Sequence, residues 1–600
     1  MSEEKKTLDA GMAKEEPVRD IPIQDLDVKR LIQLDACTRC GECQRWCPVY
    51  DQDQQESLIP RRKVIEFLKI ASSQHSLLSK ILDSGKAGSG LKSLLGRVLG
   101  YRKIGREEID QFVNSLYECS TCGQCEVVCP AHIDTVSLWE ELRRLIVKSG
   151  YGPLEPQKAL EKSVKAFDNP WQQPRAARTK WARRAKKEGL IQVLPREIRK
   201  TRGKVLLFFG CTAAYDVNVK QVAVNTINIL ETLDIDYGVL GSEEKCCGSV
   251  LLRMGDPEHK RLFKENIDLF NNLGIETLIS SCSGCFKTIL QDYPHVAPVN
   301  FEVLHTVEYL ARMVKTGELK FTHPVHRTVT FHDPCHLGRA TNGFEGPRII
   351  MDAIPGLSLK EMPRSHEYSR CCGAGGGLKA GFPDIQNKMA QRRIREAEET
   401  GAESLVSCCP FCYQGLNVGI SSLESQLVMR DISSLVAESL LGYDVFEQAH
   451  RPVENNTPQK SGGSSDRKKE REERRAARKA KKELKCENVP PAPDDDTADA
   501  AELSRQEKKA QRQQARADRR AKRKAPDSKT VSKTDAKPAP KPESEPPVVA
   551  VPEKPPEAIG PPVDDPVDMS KEEKKTARLK ARAERRAARE KAKSAADEKK

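Results

Sequence analysis

Lys204-Val-Leu-Leu-Phe-Phe-Gly-Cys211, Lys245-Cys246-Cys247-Gly248 and Ser281-Cys282-Ser-Gly-Cys285 decide how this 600-residue chain folds. A strand-length apolar run delivers the first cysteine, a glycine follows the adjacent pair, and the last two stand as Cys-x2-Cys, with 34 residues in each gap. The pattern recurs as Cys335, then Cys371-Cys372-Gly373, then Cys409-Pro-Phe-Cys412, with gaps of 35 and 36. Ten cysteines in two matched sets of five point to thiolate ligands for iron–sulfur clusters. Two-electron chemistry on sulfur compounds is the expectation.

Each set rides on alternating strands and helices. Strands are expected at 204–210, 237–240 and 277–280, and again at 328–332, 357–362 and 404–407. Helices are expected at 220–233, 258–272, 347–354 and 385–400. Such alternation implies parallel βα units, whose ligands gather beyond the carboxyl ends of the strands. Gly248 and Gly373 would take positive φ or admit a close approach of the inorganic core, and Gly375-Gly376-Gly377 adds room. Adjacent cysteines converge poorly on one symmetric cube, and five thiols exceed the four a cubane needs, which suggests an irregular cluster. A zinc site would not use five ligands. Buried, unligated cysteines are the plain alternative.

Upstream stand Cys37-x2-Cys40-x2-Cys43-x3-Cys47-Pro48 and Cys119-x2-Cys122-x2-Cys125-x3-Cys129-Pro130. This is the bacterial-type [4Fe–4S] spacing, in which the fourth cysteine serves the neighbouring cluster. Cys37, Cys40, Cys43 and Cys129 are therefore assigned to one cubane, and Cys119, Cys122, Cys125 and Cys47 to the other. Between and after the motifs, apolar residues recur at helical spacing in 62–71, 77–82, 91–99, 107–117 and 136–147, so the module is expected to be mainly α-helical. A basic connector follows, with Trp171 and Trp181. It reads as a solvated linker helix packing its tryptophans on the body, in preference to a nucleic-acid contact.

The length implies several domains. Residues 1–450 carry a charge balance of +1 and residues 451–600 one of +12, so the basic character lies in the tail and nucleic acid is not the body's expected partner. The start, Met-Ser-Glu-Glu-Lys-Lys, has no apolar signal region, and no apolar run approaches membrane-spanning length. A cytoplasmic protein is expected, held at a membrane only through a partner. In a reducing compartment, clustered cysteines are more often ligands than disulfides. The tail repeats Lys/Arg/Glu/Ala blocks at 467–485, 504–525 and 570–593 with almost no large apolar residue, so disorder or isolated helices are expected, able to bind an acidic surface. Cys486 falls on no metal pattern. Cys408 is extra to the five-thiol pattern and reads as a small buried residue. His332 and His336 flank Cys335 as strand-end caps or as donors to sulfur, while His305 and His366 read as structural.

The Cys…Cys-Cys-Gly…Cys-x2-Cys pattern resembles the cysteine-rich CCG domain. Two ferredoxin motifs followed by two CCG domains resemble the D subunit of heterodisulfide reductase, and the fused B and C subunits of the soluble enzyme. His332-Asp-Pro-Cys335-His336 and Arg370-Cys-Cys-Gly-Ala-Gly-Gly-Gly377 are typical of that family. The resemblance implies two non-cubane [4Fe–4S] clusters beside the two cubanes. One would be held by Cys211, Cys246, Cys247, Cys282 and Cys285, the other by Cys335, Cys371, Cys372, Cys409 and Cys412, with a disulfide cleaved between them. It also implies redox partner subunits, such as a membrane cytochrome b or a flavoprotein dehydrogenase. Relatives exist that act on other substrates, which leaves a non-catalytic electron relay as the second reading. The expected architecture is α+β and multidomain: an arm (1–30), the ferredoxin domain (31–150), the connector (151–203), two Rossmann-like CCG repeats (204–320 and 321–445) and the tail (446–600).

Overall fold

The computed structural model describes residues 18–76, 104–201 and 203–450. The tail blocks, Cys486, the runs at 77–82 and 91–99, and most of the expected arm lie outside the described residues.

The N-terminal module is built of helices. Val28–Asp35 begins at Asp27, whose carboxylate accepts the Arg30 N–H at 2.7 Å. Thr135–Lys148 begins at Asp134, which accepts the Ser137 N–H at 3.1 Å. Such caps satisfy donors that a first helical turn leaves free. Leu138, Leu142, Leu145 and Ile146 form one stripe of Thr135–Lys148. They share a core with Ile109, Phe112 and Leu116 of Arg106–Tyr117 and with Phe67 and Ile70 of Pro60–His75. The helices expected at 62–71, 107–117 and 136–147 are all present. The end of the expected arm is packed: Ile21 is fully buried, and its N–H donates to Gln74 Oε1 at 2.9 Å.

The connector is folded onto the body and is not solvated throughout. Trp181 sets its ring edge-on to Phe209 at 5.1 Å, and Ala182 and Ala185 of helix Lys180–Lys187 are buried.

Each repeat is a four-stranded, wholly parallel sheet. The first comprises β1 (Val205–Phe208), β2 (Tyr237–Gly238), β3 (Thr277–Ser280) and β4 (Glu302–His305) in the order β2-β1-β3-β4. The second comprises β5 (Arg327–Phe331), β6 (Leu357–Leu359), β7 (Ser404–Ser407) and β8 (Val428–Asp431) in the order β6-β5-β7-β8. The fourth strand of each repeat is an addition to the three expected. In β4 and β8 exposed or half-buried residues alternate with buried ones, so neither shows an apolar run. Phe208 pairs with Ser280, and His332 donates its N–H to Val406 beside Ser407, so Phe208 and His332 occupy equivalent places.

The repeats exchange helices reciprocally. Thr306–Thr316, which ends the first, packs on Glu345–Ala353 of the second, and Ile432–Leu441, which ends the second, packs on Lys220–Thr232 of the first. One continuous core results. No described helix is long and apolar enough to cross a membrane.

Candidate iron–sulfur site

The two short ferredoxin motifs turn the backbone alike. Arg39 and Gly41 in the first, and Thr121 and Gly123 in the second, hold positive φ of 59°, 86°, 51° and 74°. For Arg39 and Thr121 this costs on the order of 1 kcal/mol each, tolerated where the surroundings over-determine the turn. Cys47 lines one cavity with Cys119, Cys122 and Cys125, beside Lys63 and Trp139. This is the crossed grouping expected from the cysteine before Pro48. Cys43 neighbours Cys37 and Cys40, and Cys37, Cys119 and Cys129 all pack against the helical core. Burial pushes the Cys43 and Cys47 thiols up to about 11.

In the repeats, the Cys-Cys-Gly turn has one geometry used twice. Gly248 has φ 85° and Gly373 has φ 77°, and their N–H groups point back at Cys246 Sγ (3.4 Å) and Cys371 Sγ (3.3 Å). A Cβ on Gly248 would lie 2.6 Å from the Phe263 ring, so glycine is required twice over. The close approach is thus to Phe263, not to the thiols. Cys372 Sγ lies 3.4 Å from Cys412 Sγ. Crowding splits the thiols: hydrogen bonds from Cys246 and Cys285 push Cys247 down to about 6, while a hydrogen bond with Cys246 and burial push Cys211 well up. Cys372 and Cys409 are likewise pushed well down, by Cys371 and Cys282 respectively. Buried thiols in competition for protons are a donor set suited to a multi-cation core, where every sulfur ligates as thiolate.

The sets face each other. Cys211, Cys246, Cys247, Cys282 and Cys285 line a cavity of about 430 Å³ together with Cys335, Cys372, Cys409 and Cys412. Cys282 is within hydrogen-bonding reach of Cys409 across the repeats. The tenth thiol, Cys371, lies behind that lining, in contact with Cys335 and Cys372 of its own set and with Cys122 of the ferredoxin module. Trp171, Met254 and Phe411 supply apolar wall, and Gly375–Gly377 lie on the rim. Arg253 and Lys379 are the Lys, Arg, Asp or Glu residues of the lining, so it holds no carboxylate. His336 also lines it, and burial with nearby Arg253 pushes its imidazole down to about 3.

Buried arginines tie the site together, and nothing in the sequence marks them. Arg143 donates to the carbonyls of Leu116, Cys119, Arg253 and Gly376, joining the ferredoxin module to both repeats. Arg339 donates to the Cys122 carbonyl at 2.7 Å and to Ser369 O at 2.7 Å. Arg178, from the connector, pairs with buried Glu244 and sets its guanidinium nitrogens 3.7 and 3.8 Å from Cys211 Sγ. Arg253 pairs with Glu140 at 2.6 Å. Their partners are mostly backbone groups far away in sequence, which no pattern of side chains records. His332 contacts Cys372 and Cys412 and not its sequence neighbour Cys335. His305 caps Thr306–Thr316 and is held neutral, its imidazole pushed down to about 4 by burial. Cys408 is buried, as expected.

Comparison with known proteins agrees with this layout. A 4Fe-4S dicluster domain matches residues 33–133, and a cysteine-rich domain matches 205–289 and 329–417. Over 437 residues the chain is 36% identical to the D subunit of the dihydromethanophenazine:CoB–CoM heterodisulfide reductase of Methanosarcina barkeri, covering 72% of this chain and 99% of that one. It is 28% identical to the EtfAB:quinone oxidoreductase of Syntrophomonas wolfei, covering 72% of this chain and 60% of that one. It is 30% identical to the probable iron-sulfur-binding oxidoreductase FadF of Bacillus subtilis, covering 70% and 62%. The dicluster domain accounts for two [4Fe–4S] clusters and the CCG domains for further iron–sulfur centres. With its dicluster module, two cysteine-rich repeats and a match that spans nearly the whole Methanosarcina protein, the chain belongs to the heterodisulfide reductase D-subunit family of iron–sulfur oxidoreductases.

Proposed function

We propose that a disulfide is reduced, or formed in reverse, in the cavity between the two five-thiol sets. The observation that carries this is the convergence of nine of the ten CCG cysteines on one cavity. Cleavage of R–S–S–R′ to two thiols takes two electrons and two protons. Bound clusters would supply the electrons singly and offer iron to a substrate sulfur. Cys37, Cys40, Cys43 and Cys129 would hold the outer cubane, and Cys119, Cys122, Cys125 and Cys47 the inner one. Cys211, Cys246, Cys247, Cys282 and Cys285 would hold one non-cubane [4Fe–4S] cluster, and Cys335, Cys371, Cys372, Cys409 and Cys412 the other.

The rest of the chain arranges the reaction. Cys122 against Cys371 brings the inner cubane's ligands into contact with the second set. Trp171, Met254 and Phe411 give the cavity an apolar wall, which lowers the local dielectric and strengthens charge interactions beside it. Lys379, with no carboxylate on the lining, favours an anionic group on the substrate, whereas the charge of Arg253 is balanced by Glu140 and Asp292 behind the wall. The parallel β2-β1-β3-β4 order, with each thiol group at a strand's carboxyl end, supports a Rossmann-like description of the repeats. A redox partner, flavoprotein or membrane cytochrome b, would feed the outer cubane from the cytoplasmic side. The match to a quinone oxidoreductase favours one other reading, a relay that passes electrons to a membrane quinone partner without binding a disulfide.

Anaerobically loaded protein should hold about 16 iron atoms per chain if four [4Fe–4S] centres are present. A paramagnetic signal that appears on oxidation with thiol, and disulfide reduction by a reduced viologen dye, are the expected results. Cys372→Ser should remove one thiol-responsive signal and leave the cubanes intact. Full iron loading with no response to any thiol or disulfide would select the relay.

A further inference from the structure

The two thiol sets repeat in sequence, but their polar surroundings do not. In the first repeat, Phe208 stands at the end of β1 and sets its ring edge-on to Phe270 at 6.0 Å. It brings no polar atom to the sulfurs. In the second repeat the same place is held by His332, which is 1% exposed. Its ring nitrogen and the sulfurs of Cys372 and Cys412 all lie within 4.8 Å of one another.

The other side of that ring is fixed. Arg393, fully buried, donates its Nε–H to His332 Nδ1 at 3.3 Å. Guanidinium has no acceptor, so Nδ1 must carry the lone pair and the ring proton must sit on Nε2. Arg393 cannot swing away. Its remaining nitrogens donate to the Arg364 carbonyl (2.8 Å), to Glu396 (2.8 Å) and to Ser369 Oγ (3.0 Å). Glu396 is in turn held by Arg370 at 2.6 Å. A histidine whose far nitrogen is pinned in this way presents one defined N–H to its target, as carboxylates and carbonyls do for metal-bound histidines.

We propose that His332, oriented by Arg393, donates a hydrogen bond from Nε2 to the Cys372 sulfur and thereby sets the second repeat's cluster apart electronically from the first. A donor to a ligating sulfur stabilises the more electron-rich state, so it raises the reduction potential of that centre. Removal of the donor lowers it. The first repeat has a donor of another kind: Arg178 beside Cys211, with its charge balanced by Glu244. The inference rests on the ligand set proposed above for the second repeat, and not on the identity of the substrate. Arg393 acts through His332 and is a positioning residue.

The test is made on the anaerobically loaded full chain, with paramagnetic signals followed during redox titration. His332→Phe copies the first repeat. It should keep its iron and move one CCG centre to more negative potential by about tenfold in the equilibrium constant, about 59 mV for one electron. The cubanes should not move. His332→Gln keeps an N–H and should restore most of the shift. Arg393→Met should give a smaller shift in the same direction, and none further when combined with His332→Phe, because the two act as one unit. If His332→Phe fails to load the centre while His332→Gln loads it near the native potential, the donor is again what matters. An iron-replete His332→Phe protein with unchanged potentials would refute the proposal. So would loss of the centre in both His332 variants together with strong hyperfine coupling to histidine nitrogen, which would make His332 a ligand.

Discussion

Replacement of Arg143 by methionine should loosen the joint between the dicluster module and both repeats. The side chain is fully buried, with its guanidinium 4.9 Å above the Tyr117 ring. It donates to four carbonyls: Leu116 (2.7 Å), Cys119 (3.0 Å), Arg253 (2.8 Å) and Gly376 (2.7 Å). Methionine fills much of the volume but leaves four buried acceptors unpaired. At about 1 kcal/mol for each, the low end of the usual penalty because water can enter, the loss is about 4 kcal/mol. That exceeds an ordinary substitution. The assay is guanidinium denaturation of the loaded chain under anaerobic conditions, followed by tryptophan fluorescence and by cluster absorbance. The midpoint should fall on both probes. Arg143→Lys, with at most three donors, should fall in between. A methionine variant within about 0.5 kcal/mol of the native chain would show that the carbonyls find other partners and that the joint does not depend on this residue.

Three further outcomes are expected. Glu244→Ala leaves the Arg178 charge buried and alone and should cost about 3–5 kcal/mol by the same denaturation assay, whereas the double variant Arg178→Met, Glu244→Leu should recover only part of that loss, because the Phe209 and Gly210 N–H groups that Glu244 accepts stay unpaired. Gly376→Ala combines a φ of 62° with a Cβ pressed into the Cys119 carbonyl and 2.6 Å from the Ser120 carbonyl carbon. It should slow electron transfer from dithionite-reduced cubanes to the CCG centres, measured by rapid-freeze spectroscopy. Burial pushes the Asp431 carboxyl up from 3.8 to about 7, so the folded state holds its proton where the unfolded state has lost it. This part of the stability falls as pH rises from about 4 to about 7 and is level above. Asp431→Asn, which keeps the cap on Ile432–Leu441, should flatten that slope in denaturation midpoints measured across the window.

The thiols were legible because ligation constrains residue type and spacing together. Pro48 after Cys47 was enough to predict that this cysteine leaves its own motif, and it does lie with Cys119, Cys122 and Cys125. Gly248 and Gly373 were legible as positive-φ positions for the same reason, since a two-cysteine turn leaves few backbone choices. The fourth strands were not, because half of each faces outward and local pattern carries no sign of a parallel neighbour such as β3 beside β4. The arginines were hidden more deeply. Arg143 sits in an amphipathic helix where a charge normally faces water, and its partner Gly376 is 233 residues away. Arg178 belongs to a stretch so basic that it reads as solvated. His332 stands near Cys335 in sequence, but its sulfur partners come from the Cys-Cys-Gly turn and from Cys-x2-Cys after β7, contacts that exist only once β5 and β7 are paired.

A repeated sequence invites the idea of two equivalent centres, and the fold departs from that idea at defined residues. Cys371 touches Cys335 and Cys372 just as its counterpart Cys246 touches Cys211 and Cys247, but Cys371 also lies against Cys122 of the ferredoxin module. The ferredoxin module is bonded to the second repeat through Arg339 at the Cys122 carbonyl and through Arg143 at Gly376. Its link to the first repeat, through Arg143 and Glu140 to Arg253, reaches the wall of the cavity and not a thiol turn. With the ligand sets proposed above, electrons entering through the dicluster module would meet the second set before the first, with the cavity between them. In that order, a hydrogen bond from His332 falls on the centre nearer the donor. A guanidinium balanced by a carboxylate falls on the farther one. Two sets of five thiols would supply the same ligands twice, and the residues that differ around them would give the pair a direction.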